Sequence, residues 1–145
     1  MNHITPTIVR FCAEECERQS TGPISVANMV DAYQWAANCY SSNTKQLGSW
    51  IVKELGILVD DQRYRNFPVT IDNIAIPFNN IPANIHKLCQ LDFSEYDNQT
   101  AKEFYFYFEN IHPFADGNGR VGAILFNWIN GTLFNPITPP NVFNR

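Results

Sequence analysis

Along most of the chain the apolar residues recur every three or four positions, the spacing of amphipathic helices. Ile8, Phe11, Cys12 and Glu15 open this pattern behind a turn at Thr5-Pro6, and Thr21-Gly22-Pro23 closes it. A second helix is expected over about 25–40, with Val26, Met29, Val30, Tyr33 and Ala37 on one stripe. Ser41-Ser42-Asn43 then supplies a break and an N-cap, after which Leu47, Trp50, Ile51, Glu54 and Leu55 resume helical spacing. Between Tyr64 and Phe78 the pattern changes: Phe67, Val69, Ile71, Ile74 and Ile76 surround Asp72-Asn73, with Pro68 and Pro77 at the edges. Asx residues between β-branched neighbours predict a short hairpin over about 67–77, and the prolines keep it out of any larger sheet.

Helical periodicity returns over 81–92, with Pro82 in the first turn, and again over 98–111 behind a cap at Asp97-Asn98. In the latter, Ala101, Phe104, Tyr105, Phe108 and Ile111 form a stripe, and Phe106 and Tyr107 extend apolar surface to the other side. A helix so greasy is expected at the centre of the fold. A last helix over 119–131 places Val121, Ile124, Leu125, Trp128 and Ile129 on one face, with Gly122 and Ala123 small enough for close packing. The fold class is therefore mainly α, a compact helical core with one small hairpin. Residues 1–145 read as a single domain, since this length can bury roughly 68–70% of its unfolded surface.

Composition narrows the function classes. The chain is 45% hydrophobic and 14% aromatic with a net charge of -4, which argues against disorder and against electrostatic binding to nucleic acid or anionic lipid. Arg10, Glu14, Glu15, Glu17 and Arg18 interrupt the apolar runs that a signal peptide would need, and no stretch approaches a membrane span. A cytoplasmic protein, or one delivered into a host cell, is expected. Cys12, Cys16, Cys39 and Cys89 then read as reduced thiols, Cys12 and Cys16 being at most half of a metal site.

The chemistry concentrates in His112-Pro113-Phe114-Ala115-Asp116-Gly117-Asn118-Gly119-Arg120. A glycine-bracketed loop opening a helix can gather backbone N–H groups into an anion nest, to which the helix dipole adds favourable potential. Asp116 is an oxygen ligand suited to Mg²⁺, Arg120 a planar donor fork for phosphate, and His112 the nearby side chain of a type whose unperturbed pKa lies near neutrality, a candidate general base. Phosphoryl or nucleotidyl transfer is the chemistry these parts serve. His3 and His86 have no such company and read as surface or satisfied residues. Arg63 and Arg65, beside the hairpin, read equally as contacts to a target or nucleotide and as solvated surface.

The run His112 to Arg120 resembles the signature of the Fic family, H-P-F-x-[D/E]-G-N-G-R, and the hairpin between Tyr64-Arg65 and Ile76-Pro77 resembles that family's target-binding flap. The resemblance implies a minimal Fic domain that transfers AMP from ATP to a Ser, Thr or Tyr hydroxyl of a target protein, releasing pyrophosphate. His112 would be the base, Asp116 the Mg²⁺ ligand, and Gly117, Asn118 and Gly119 the anion hole; Arg120 would meet the β and γ phosphates, and Phe114 would anchor the loop. The flap, Val69, Thr70, Ile71, Asp72, Asn73, Ile74, Ala75 and Ile76, would grip the target as an added strand. Gly119 stands where Doc-like kinases carry lysine, which favours AMP over phosphate transfer. The family pattern continues with a second arginine, where this chain has Ala123, and no [S/T]-x-x-x-E-[G/N] inhibitory segment is present. Ala123 raises the alternatives of a weak or inactive nucleotide- or protein-binding module, or transfer of another phosphate-containing group. A separate antitoxin or inhibitor protein would fit the missing segment.

Overall fold

A computed structural model describes residues 2–19, 21–42, 46–71, 73–90 and 97–141. The elements run α1 (Pro6–Arg18), α2 (Pro23–Ser42), α3 (Ser49–Asp60), β1 (Val69–Ile71), β2 (Ile74–Ile76), α4 (Ile81–Cys89), α5 (Asn98–Ile111) and α6 (Asn118–Asn130). The fold is mainly α, with one antiparallel hairpin in which Val69 faces Ile76, Thr70 faces Ala75 and Ile71 faces Ile74. Asn73 takes the left-handed turn conformation at φ 65°, and Asp72, the other half of the expected turn, lies outside the described residues.

The centre of the fold is α6, and here the expectation for 98–111 is corrected. Eleven of the thirteen residues of α6 are buried, whereas Phe106 and Tyr107 on α5 remain 42% and 52% exposed. Packing against α6 covers only one stripe of α5, Ala101, Phe104, Tyr105 and Phe108. Closeness comes from Gly122, where an added Cβ would meet Glu109 Oε1 at 2.8 Å and the Tyr105 ring at 3.0 Å. Helices α1, α2 and α3 cover the other sides of α6, and α4 packs on α3 and α5.

Local chemistry sets the helix ends. The Thr5 hydroxyl accepts the Ile8 N–H, and the Asp97 carboxylate accepts the Thr100 N–H at 2.8 Å, both as N-caps. The expected break at Ser41-Ser42 is instead the last turn of α2, where the Ser42 hydroxyl donates to the Cys39 carbonyl; Asn43 lies outside the described residues. Gly48 precedes α3, whose buried stripe is Ile51, Val52, Leu55, Gly56 and Val59. Trp50 falls off that stripe, 61% exposed, with its ring edge-on to Trp35. Helix α4 ends at Cys89, short of the expected limit, with Gln90 as its C-cap.

Two polar side chains tie down the segment after α6. The Tyr33 hydroxyl donates to the Leu133 carbonyl at 2.5 Å. Asn127, fully buried, donates to the Ile137 carbonyl at 3.0 Å and accepts the Ile137 N–H at 2.8 Å and the Thr132 hydroxyl at 2.6 Å. Thr138 to Asn141, beyond this anchor, line one cleft with the opening of α6.

Cys12, Cys16 and Cys89 are buried free thiols and Cys39 is half-buried. Burial pushes Cys12 and Cys89 up to about 12, with Cys16 and Glu15 adding to the effect on Cys12. A short pulse of iodoacetamide near pH ~8 is therefore expected to alkylate Cys39 alone in the folded protein, since reactivity follows exposed thiolate. Peptide mass spectrometry reads this, and modification of Cys12 or Cys89 without unfolding would contradict it. No helix among the described residues is long and apolar enough to cross a membrane.

Candidate active site

Helix α5 ends at Ile111, and His112, its C-cap, turns left-handed at φ 49° and ψ 63° while its N–H still donates to the Phe108 carbonyl at 3.1 Å. A non-glycine residue in this region costs roughly 1–2 kcal/mol, so neighbours must hold it there. The reversal sends Phe114 into the core, fully buried, with its ring stacked 5.5 Å from Tyr64. Gly56 on α3 makes room for that ring: a Cβ at this position would collide with Phe114. The Tyr64–Phe114 bridge and the Arg65 N–H donating to the Pro113 carbonyl at 2.9 Å dock the loop on the segment that enters the hairpin.

Asn118 closes the loop on itself. Its side-chain oxygen accepts the Phe114 N–H at 2.9 Å, and its amide donates to the Phe114 carbonyl at 2.7 Å, all in a buried setting. Both polar atoms of the side chain are thus engaged in holding the loop, and the main chain at the start of α6 offers further donors. Gly117 takes φ 87° and gives its N–H to the Asp116 carboxylate at 2.8 Å. Helix geometry leaves the N–H groups of Asn118, Gly119 and Arg120 without intrahelical acceptors, at the positive end of the α6 dipole.

The loop and the first residues of α6 border a cleft of about 630 Å³. His112, Asp116, Gly117, Asn118 and Gly119 line it together; Arg18 and Gln19 from the end of α1 and Tyr105 and Glu109 from α5 form other walls. Gln19 lies so close over the loop that a Cβ on Gly119 would collide with its side-chain amide. Arg18 pairs with the buried Glu15. Burial opposes its charge, but the bonds and charges of Glu15 and Tyr105 hold it above the ordinary arginine value.

Arg120 stands elsewhere. It is 1% exposed and lies behind the loop, outside the cleft lining, with Nη2 3.5 Å from Asp116 Oδ1 and 3.8 Å from Asp60 Oδ2. Its Nε and Nη1 are buried without a hydrogen-bond partner among the described residues. Asp60 is raised above the usual carboxylate range by partial burial; Arg120 opposes this, and a hydrogen bond and charge from Asp116 add to it. Arg120 thus sits between two carboxylates. Ala123, one turn on, is fully buried, so an arginine there would have to displace packed neighbours.

The Asp116 side chain is 69% exposed at the cleft rim. One open carboxylate, with phosphate oxygens and water to complete the shell, is the donor set Mg²⁺ takes, so this residue fits that ion.

Sequence reasoning missed Asp60, Gly56, Gln19 and Arg18 at the site and Asn127 behind it. Asp60, Gly56, Gln19 and Arg18 lie on or at the end of elements distant in sequence that only the fold brings there, and Asn127, on α6 itself, shows its role only through its bonds to Thr132 and Ile137. Of the flap, Val69, Thr70, Ile71, Asn73, Ile74, Ala75 and Ile76 form the described hairpin. Arg65 is neither solvated surface nor exposed contact: it is 4% exposed and bonded inward. No curated protein matches the chain. The sequence model of the Fic/DOC family matches residues 42–130.

Proposed function

The chain belongs to the Fic/DOC family, and on that premise we propose that it is a protein adenylyltransferase, moving AMP from ATP to a Ser, Thr or Tyr hydroxyl of a target protein. The observation that carries this reading is that His112, Asp116 and the residues opening α6, Gly117, Asn118 and Gly119, line one cleft. The α phosphate would rest against the N–H groups of Asn118 and Gly119, where donors already fixed in space favour the charge of an in-line transition state. A target hydroxyl attacks the α phosphorus, its proton passes to the His112 imidazole, and the bond to the bridging oxygen breaks, releasing pyrophosphate. Mg²⁺ held by Asp116 would neutralise charge on the phosphate oxygens. The hairpin, a two-stranded sheet, would take the target main chain as a further strand and so bring the hydroxyl into line.

Because Arg120 lies between Asp60 and Asp116 outside the cleft lining, Arg18 is, among the described residues, the permanently charged cation lining the cleft. Its side chain is 47% exposed, so solvent screens it. Arg18→Ala is expected to raise KM for ATP about threefold to tenfold with little change in kcat. Unchanged KM would remove Arg18 from the nucleotide site.

The reading is tested by incubating the protein with Mg²⁺, ATP labelled at the α phosphate, and cell lysate. Label on protein is expected. A binding module that performs no transfer is the second reading, favoured by the full burial of Ala123 and the place of Arg120; measurable ATP binding with no label under any condition would select it.

A further inference from the structure

Outside the cleft stands a buried cation whose partners are all main-chain carbonyls. Arg65, between α3 and β1, is 4% exposed, and burial draws it below the ordinary arginine value. A guanidinium carries five N–H donors, and here each finds an oxygen. Nε donates to the His112 carbonyl at 2.7 Å; Nη1 to those of Phe67 at 2.9 Å and Ile76 at 3.2 Å; Nη2 to those of Pro77 at 2.9 Å and Ile111 at 3.2 Å.

Three of these carbonyls belong to the two feet of the hairpin: Phe67 just before β1, Ile76 at the end of β2, and Pro77 just after it. The other two end α5, at the negative pole of its dipole, which favours a cation there. One planar, rigid group therefore fixes the hairpin and the backbone of His112 relative to each other. His112 needs such a hold, because its left-handed conformation persists only where its surroundings impose it. Lysine could not reproduce the arrangement, since it presents three donors from a single point and not five from a fixed plane.

We propose that Arg65 is a positioning residue that makes the hairpin and His112 one mechanical unit, so that a target strand added to the hairpin meets the imidazole at a set distance. The catalytic consequence rests on the transferase reading above; the coupling itself does not.

Amide hydrogen exchange on the full chain tests the coupling directly. In Arg65→Gln, exchange at the hairpin amides and at His112 and Phe114 is expected to rise together, about tenfold, while α2 and α6 keep their protection. Arg65→Lys should fall between Arg65→Gln and wild type, and it serves as the test if Arg65→Gln does not fold. A loosened hairpin with His112 and Phe114 protected as in wild type would overturn the proposal, as would wild-type exchange at both segments in Arg65→Lys. For catalysis, transfer of α-label from ATP to lysate protein should fall about 100-fold in Arg65→Gln, as a misplacement near 1 Å would cause. Affinity for a fluorescent ATP analogue should stay within about twofold, because the phosphate groups of the loop are not touched. Equal loss of analogue binding and transfer would contradict positioning. If wild type transfers no label yet the coupled exchange is seen, the transferase reading fails and the coupling stands.

Discussion

Replacing His112 with asparagine is expected to lower label transfer from ATP about 1,000-fold, within the range spanned by a positioned acid–base group, while ATP affinity stays within about twofold. Asparagine is the more informative variant because it tolerates the left-handed backbone that His112 adopts at φ 49°. Alanine at the same position would remove the imidazole and strain the turn at once. The His112 carbonyl would still receive Arg65 and its N–H would still reach Phe108, so the loop should keep its path in the asparagine variant. Transfer assays beside titration with a fluorescent ATP analogue separate the two effects. Transfer at the wild-type rate in His112→Asn would remove the imidazole from the chemistry.

Asn118→Ala is the second large effect, and it acts first on the fold. The Asn118 side chain satisfies both the N–H and the carbonyl of Phe114, which is fully buried. Alanine leaves two buried polar groups without partners, each at a cost of about 1–3 kcal/mol. A loss of about 3–5 kcal/mol should lower Tm by roughly 10 °C at this chain length. Nucleotide binding should fall with it, because the N–H groups at the start of α6 are aimed only while the loop is closed. Asn118→Asp separates the causes: it can still accept the Phe114 N–H and suits a helix N-terminus, so it should melt above the alanine variant. Its charge opposes phosphate, so its ATP affinity should be as poor as that of alanine or poorer. Calorimetric melting with ATP titration checks both, and an alanine variant that melts like wild type would show that the loop does not depend on this side chain.

What could be read from the sequence was local. The hairpin follows from Asp72-Asn73 between β-branched residues and flanking prolines, and the loop from His112, two glycines and the helix behind them, all within a few residues of one another. The centre of the fold was not legible, because α5 carries apolar residues on both sides and only packing decides which side is covered. Gly122 decides it, by allowing α5 and α6 to approach closely. Arg65 was equally opaque. Its partners His112 and Ile111 lie 47 and 46 positions away, and a lone arginine near a hairpin carries no sign of them. The same holds for Gly56, whose smallness matters only because Phe114 arrives there from another part of the chain. Arg120, read from its place in the loop, proved to lie behind that loop between Asp60 and Asp116, a position that one-dimensional spacing does not encode.

Transfer of AMP through this cleft is tested most directly by tandem mass spectrometry of protein modified by the wild-type chain, supplied with Mg²⁺ and ATP carrying different labels on its α and γ phosphates. The expected result is AMP on a Ser, Thr or Tyr hydroxyl, with the α label on the protein and the γ label in released pyrophosphate. The γ label on protein, or no adduct from a chain that binds ATP, would contradict it.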